Sequence, residues 1–186
     1  MRADPGQIAG LFSFVDSLFS SPESGVSRLA ILVNSAAFFS QTDIRQLSIP
    51  EWDKTMDLNL RAPFLCAQQA AQRMTNGDLI VNVSDVGAQK TWSRFPAYSV
   101  SKAGLEALTR MMARALAPAI RVNAIAPGLV MPGESISQSE WDNLVHKLPM
   151  KRPAKTEEVA YALEFIIKNP YLTGQTIVVD GGYSLV

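Results

Sequence analysis

Tyr98 and Lys102 stand four residues apart, a spacing that brings a phenol and an amine onto one face of a helix, one turn from each other. An ammonium about 4 Å from a phenol, at an effective dielectric of ~20, favours the phenolate by roughly 4 kcal/mol, or about three pKa units below the ordinary ~10. The expectation is a phenol that titrates near neutrality and works as a general acid–base. By itself the pair also fits an ordinary exposed helical contact, so the surrounding elements decide its meaning.

Those elements read as a crossover unit. Leu79 to Ser84 is a short apolar run behind the turn Asn76-Gly77-Asp78, as expected of a buried parallel strand. Lys102 to Ala117 is a helix rich in Ala, Leu and Met, and Ile120 to Ala126 is a second strand that Pro127-Gly128 stops. A right-handed strand–helix–strand connection places the loop after the first strand beside Tyr98 at the carboxyl edge of the sheet, where open α/β sheets bind ligands.

On these residues the sequence resembles the short-chain dehydrogenase/reductase family. The matching pieces are Asn34-Ser35-Ala36-Ala37, Asn59 in Asp57-Leu58-Asn59-Leu60, Tyr98 with Lys102, Arg121-Val122-Asn123 with Pro127-Gly128, and Thr173-Gly174-Gln175 leading to Asp180-Gly181-Gly182. Their order and spacing fit from about residue 4 to the end. The resemblance implies one Rossmann-like domain over residues 1–186, a doubly wound parallel sheet with helices on both faces. It also implies a catalytic set of Tyr98, Lys102 and Asn59, with Lys102 holding the nicotinamide ribose and Asn59 a water beside it. The other reading of Asn59 is a polar residue that satisfies a helix kink.

The fourth catalytic position departs from the family. Its serine usually stands thirteen residues before the tyrosine, where this chain has Asp85, directly after Ser84. A serine hydroxyl donates to a substrate carbonyl, whereas an ionised carboxylate only accepts and repels a developing alkoxide. Asp85 suits a substrate with N–H groups or a C=N bond, the pattern of the family's pteridine reductase-like branch. Phe39, matching an aromatic that stacks on a pterin ring, and Met131 within Val130–Glu134 agree with that branch. Ser84 in the catalytic place, with Asp85 a loop residue and Phe39 plain core, is the other reading.

The family's opening strand, Gly-rich phosphate turn and second strand have no counterpart. Gly6 and Gly10 fall before or within a predicted helix, Pro5–Phe19. The expectation is a sheet truncated at its N-terminus, lacking the first two strands and first helix, with Asp4 matching the acid that meets the adenine. Cofactor contacts expected by resemblance are Asp4, Asn34, Ala36, Tyr98, Lys102, Pro127 and Gly128, and substrate contacts are Phe39, Ser84, Asp85 and Met131. The cofactor expectation is NADP(H) over NAD(H), although the residues that accept or refuse a 2′-phosphate fall before Met1. A piece of a longer chain, a truncated variant that folds with partners, and a chain that no longer binds dinucleotide all fit such a start.

Composition sets the remaining bounds. Lys+Arg and Asp+Glu balance at 17 each with no basic cluster, which argues against nucleic acid and for a small-molecule partner. No apolar run reaches the ~20 residues that span a bilayer, and residues 1–6 lack a signal-peptide core, so a cytoplasmic location is the default. No metal site is expected. Cys66 sits in an apolar helical stretch as an inert thiol, and His146 has no acid or metal partner in view. Predicted helices run from Ile49 through Asn59 to Met74, with a bend at Pro63, around Ser139–Leu148 in a substrate-covering segment, and from a Thr156 cap to Lys168. Val159, Leu163, Phe165 and Ile166 are expected to face inward. Predicted outer strands are Leu29–Val33 and Thr176–Val179. By resemblance, a homodimer or homotetramer forms through the helices carrying Ala67, Ala70, Ala71, Leu105, Leu108, Met112 and Leu116.

The functional expectations are three. The first is a nicotinamide-dependent oxidoreductase, in its sharper form a reductase of pterin- or dihydrofolate-like C=N substrates. The second is a carbonyl reductase or alcohol dehydrogenase that uses Ser84. The third is a cofactor-free truncated scaffold.

Overall fold

A computed structural model describes residues 3–19, 28–90, 92–133 and 136–186. Four parallel strands, β1 (Ile31–Asn34), β2 (Asp78–Val83), β3 (Ile120–Pro127) and β4 (Thr176–Val179), lie in the order β1-β2-β3-β4. Each strand pairs in parallel with the next in sequence. Helix α1 (Pro5–Phe19) precedes β1, and the connections between strands cross over and carry the helices α2 (Ile49–Met56), α3 (Ala62–Ala71), α4 (Pro96–Leu116), α5 (Gln138–Lys147) and α6 (Thr156–Lys168).

Alternation along β2 and β3 builds two cores. Ile80 and Val122 face one layer with Phe12 of α1, Ala67 and Ala70 of α3, and Met112 and Ala113 of α4. Leu79, Val81 and Ile125 point the other way, against Ala162 and Ile166 of α6. Burying an Ile, Leu or Val side chain contributes about 1.5–3 kcal/mol, so the two inner strands, mostly apolar and buried on both faces, anchor the fold. Among the described residues β1 forms one edge, with Ile31 and Val33 each about two-fifths exposed (41% and 40%).

Several expected boundaries move. The tyrosine helix starts six residues earlier than the Lys102–Ala117 reading, with Pro96 in its first turn, where a missing N–H is harmless. The long helix is interrupted before Pro63 by a π turn over Asp57–Arg61, in which the Ala62 N–H reaches back to the Asp57 carbonyl. Pro63 has no N–H for the carbonyl four residues back, so the wide turn takes up the mismatch on its N-terminal side. Ser48 caps α2 as expected, accepting from the Glu51 N–H at 3.3 Å. Thr156 is already helical. The cap position is Lys155, whose N–H donates to Glu158 Oε2 at 2.8 Å.

Phe165 is half exposed rather than inward-facing, while Ile166 beside it is fully buried. Ala67, Ala70, Leu105 and Met112, expected at a subunit interface, are buried within this chain. The large apolar side chains that α4 and the α2–α3 stretch leave exposed are Ile49, Leu58, Phe64, Val100 and Met111. Most of the predicted 20–28 loop, and Glu134, lie outside the described residues. Among those described, no helix is long and apolar enough to cross a membrane, and no group of three or more His, Cys, Asp or Glu could hold a metal ion.

Candidate active site

β2 ends at Val83 and delivers Ser84 and Asp85 to the carboxyl edge of the sheet, facing the first turns of α4. Asp85 starts a short 3-10 turn over Val86–Ala88, and its Oδ1 accepts the Gly87 N–H at 2.6 Å. Its other oxygen, Oδ2, accepts from the buried Tyr98 hydroxyl at 2.9 Å. The adjacent serine is directed elsewhere. Ser84 Oγ donates to Glu106 Oε1 at 3.2 Å, one turn of α4 beyond Lys102.

The electrostatics differ from the sequence-based expectation. Tyr98 is not drawn toward neutrality but held well above the ordinary phenol range, first by burial and then by the charge and hydrogen bond of Asp85. Lys102 is too far to reverse this, with Nζ 5.7 Å from the Tyr98 ring centroid and donating to the Val83 carbonyl at 2.7 Å. Burial lowers the Lys102 ammonium to about 8, with the Asp85 carboxylate opposing. Asp85 is itself held above the usual carboxylate range. Burial raises it, opposed by the Gly87 N–H, the Tyr98 hydroxyl and the Lys102 charge, while Glu106 adds to the rise. The cluster thus favours keeping protons on Tyr98 and Asp85 and releasing one from Lys102.

Asn59 sits in the π turn, almost fully buried. Its Oδ1 accepts the Phe38 N–H at 2.7 Å, and its Nδ2 donates to the Phe38 carbonyl at 2.9 Å and to Ser101 Oγ at 3.0 Å. Asn59 therefore pins the coil after β1 to α4. That coil carries Phe39, whose ring stacks on Phe95 at 4.4 Å and meets Tyr98 edge-on at 4.7 Å. Phe39 is half exposed, not core.

Of the other expected residues, Asn34 ends β1 and donates to Asn82 Oδ1 at 2.9 Å, and Ala36 follows in the same coil. Pro127 and Gly128 close β3, and a Cβ on Gly128 would meet the Asp180 backbone at 2.8 Å. That position needs glycine. Met131 follows, largely exposed. Asp4 caps α1, its Oδ1 accepting the Gln7 N–H at 2.9 Å, and makes no hydrogen bond or ion pair with the Tyr98 cluster. His146 is exposed, and burial raises the Cys66 thiol above its ordinary range, away from a reactive thiolate.

The sequence reading missed Glu106, although its place four residues after Lys102 puts it on the same face of α4. It also missed Tyr183 and Lys90. Lys90 Nζ donates to the Tyr183 carbonyl at 2.6 Å and sits 4.4 Å over its ring. Tyr183 lies 5.9 Å from Trp92, and Trp92 lies 6.0 Å from Phe95, so aromatic contacts run from the C-terminal turn to the Phe39–Tyr98 pair.

A family profile described as enoyl-(acyl carrier protein) reductase matches residues 12–184. The chain is 31% identical over 174 residues to a 3-oxoacyl-[acyl-carrier-protein] reductase of Synechocystis, covering 90% of this chain and 70% of that protein. It is 33% identical to the human enzyme of the same name, over 92% and 73% of the two chains. Among solved structures it is similar to FolM alternative dihydrofolate reductase 1 from Brucella canis complexed with NADP. That match has a TM-score of 0.88 and 31% identity, over 100% of this chain and 73% of that one. A short-chain dehydrogenase/reductase from Serratia marcescens matches with a TM-score of 0.87 and 28% identity, over 99% and 74%.

Proposed function

The chain belongs to the short-chain dehydrogenase/reductase family, and from that premise we propose that it is an NADP(H)-dependent reductase of pterin- or dihydrofolate-like C=N substrates. The reading rests on one observation, the 2.9 Å hydrogen bond from the Tyr98 hydroxyl to Asp85. It is supported by the engagement of Ser84 with Glu106, and by the similarity to a dihydrofolate reductase complexed with NADP.

The donors present fit such a cofactor. Among the described residues the Lys102 ammonium has one hydrogen-bond acceptor, the Val83 carbonyl, which leaves two N–H groups for ribose hydroxyls. Asn34 and Ala36 after β1, and Pro127 and Gly128 at the end of β3, line the same sheet edge, and Asp4 is the proposed contact on the adenine side. When bound, the reduced nicotinamide supplies a hydride to the substrate carbon.

The chain's own residues handle the proton. Reduction of C=N to CH–NH needs one proton at nitrogen for each hydride at carbon. Asp85, raised by burial, accepts from substrate N–H groups when ionised and delivers a proton to the ring nitrogen when protonated. Tyr98, kept protonated, donates to Asp85 and steadies it, and the carboxylate regains its proton from solvent. The half-exposed ring of Phe39 offers a flat heterocycle an aromatic contact, contributing about 0.5–1.5 kcal/mol beyond buried area. Asn59 is the positioning residue that fixes the coil bearing Phe39.

The similarity to 3-oxoacyl-[acyl-carrier-protein] reductases supports a second reading, ketone reduction with Tyr98 as the acid. There an ionised Asp85 beside the developing alkoxide is unfavourable. We propose further a cytoplasmic homodimer or homotetramer. The test is kcat/KM with NADPH on dihydrobiopterin, dihydrofolate and a 3-oxoacyl thioester. Asp85→Asn is expected to lose about 10²-fold or more on the pterins. Wild-type turnover of the thioester alone would return the protein to the carbonyl reductases.

A further inference from the structure

A cavity of about 630 Å³ opens beside the aromatic wall, between residues 41–46 of the coil after β1 and residues 93–94 before α4. Its two sides are direct continuations of the Phe39–Phe95 stack, since Gln41 follows Phe39 by two residues and Arg94 precedes Phe95. The sides are tied together by the Thr42 N–H, which donates to the Arg94 carbonyl at 2.9 Å. The cavity and the Phe39–Phe95 stack are therefore neighbours along both segments.

The cavity's charges are unevenly satisfied. Asp43 is engaged by Arg45 through its Nε at 2.9 Å and its backbone N–H at 2.8 Å. Glu51, beneath the coil, accepts from Ser40 Oγ at 2.6 Å and from Thr42 Oγ1. Arg94 forms no ion pair with a carboxylate among the described residues. Its guanidinium faces the Gln41 amide, whose oxygen, once turned, accepts from Nε at 3.0 Å. Glu140 at the start of α5 is felt only through space. Its own carboxylate is held by the Ser137 hydroxyl at 2.7 Å and the Ser137 N–H at 3.1 Å.

We infer that Arg94, with Gln41, is an anion subsite that selects substrates carrying a negatively charged arm on the reacting group. The guanidinium fork matches a carboxylate in two parallel hydrogen bonds. Resting on the proposed pterin reduction, this arm is a carboxylate such as the glutamate of dihydrofolate. In the thioester reading it is a phosphate of the carrier arm.

The experiment compares substrates that share a reacting group and differ in the arm. In wild type and Arg94→Gln, kcat/KM is measured for dihydrofolate against dihydrobiopterin, whose side chain is neutral. It is also measured for acetoacetyl-CoA against the N-acetylcysteamine thioester, which has no phosphate. The expected result is a roughly tenfold fall in the charged-to-neutral ratio for the turned-over class, carried by KM, partly restored by Arg94→Lys. The ratio in wild type should also fall with added salt, and that in Arg94→Gln should not. Turnover of thioesters only, with a selective loss on the CoA form, would sink pterin reduction and keep the anion subsite. A charged-to-neutral ratio unchanged within twofold in Arg94→Gln would overturn the subsite whichever class reacts.

Discussion

Ser84 Oγ and Glu106 Oε1 lie 3.2 Å apart, both buried, while the adjacent Asp85 accepts from the Tyr98 hydroxyl. Ser84→Ala leaves the Glu106 carboxylate buried without that donor, which costs about 1–3 kcal/mol. The expected outcome is a lower urea midpoint with kcat on the preferred substrate within a few-fold of wild type. A catalytic defect larger than that of Asp85→Asn would reassign the acid–base role to Ser84.

Tyr98→Phe removes one hydroxyl and keeps the ring that meets Phe39 edge-on at 4.7 Å. Thermal stability should hold within about 1 kcal/mol, the net worth of one hydrogen bond. Turnover should fall about tenfold, because the hydroxyl that steadies Asp85 is lost while Asp85 still delivers the proton. Single-turnover rates read this directly, and undiminished activity in the variant would remove Tyr98 from the mechanism.

Lys102 gives a pH signature. Its ammonium titrates at about 8 in the fold against 10.5 in the free side chain, so below pH 8 both states are protonated and the full burial penalty is present. Between 8 and 10.5 the unfolded chain holds more protons than the native one, and native stability rises with pH. Tyr98, raised by burial and Asp85, works in the opposite sense only above about pH 10, where an unfolded phenol ionises. The stability difference between wild type and Lys102→Met should therefore grow in favour of wild type from pH 8 to 10, by about 3 kcal/mol at most. A flat difference would mean that the ammonium is solvated.

Asn59→Leu strips three hydrogen bonds and leaves the Phe38 N–H and carbonyl without their partner. Destabilisation of about 3 kcal/mol is expected. Because the freed coil carries Phe39, KM for a stacking substrate should rise as well. Loss of kcat alone, with unchanged stability, would favour a proton-relay role over a positioning one.

Subunit association is expected through the faces that this chain leaves open. A groove lined by Met56, Leu60, Phe64, Gly104 and Leu108 runs between the α2–α3 stretch and α4. Light scattering at micromolar concentration should give at least a dimer, and Phe64→Glu should shift it toward monomer. A monomeric wild type would leave the groove unexplained.

The strands were legible because period and burial agree along them. Leu79, Val81 and Ile125 fill one layer while Ile80 and Val122 fill the other, and Thr176–Val179 falls where the sequence places it. The direction in which Ser84 turns was not legible, because it depends on Glu106, 22 residues further on, meeting the serine. The direction of the Tyr98 shift was missed for a related reason. Helical spacing gave the Lys102 charge but neither the desolvation of the phenol nor the carboxylate that a separate strand brings to it. The π turn escaped too, since Pro63 announces a break but not on which side the extra residue is accommodated.

The aromatic chain running Tyr183, Trp92, Phe95, Phe39, Tyr98 also makes the molecule optically self-reporting. Trp92 is one of three tryptophans, and among the described residues it alone of the three is joined through ring contacts to the wall of the proposed site. Indole emission shifts with local polarity and is drained by nearby chromophores that absorb where it emits. A reduced nicotinamide or a pterin settling against Phe39 is such a chromophore. With Trp52 and Trp141 replaced by Phe, the colour and intensity of the remaining emission become a running record of what occupies the cleft, with no label added.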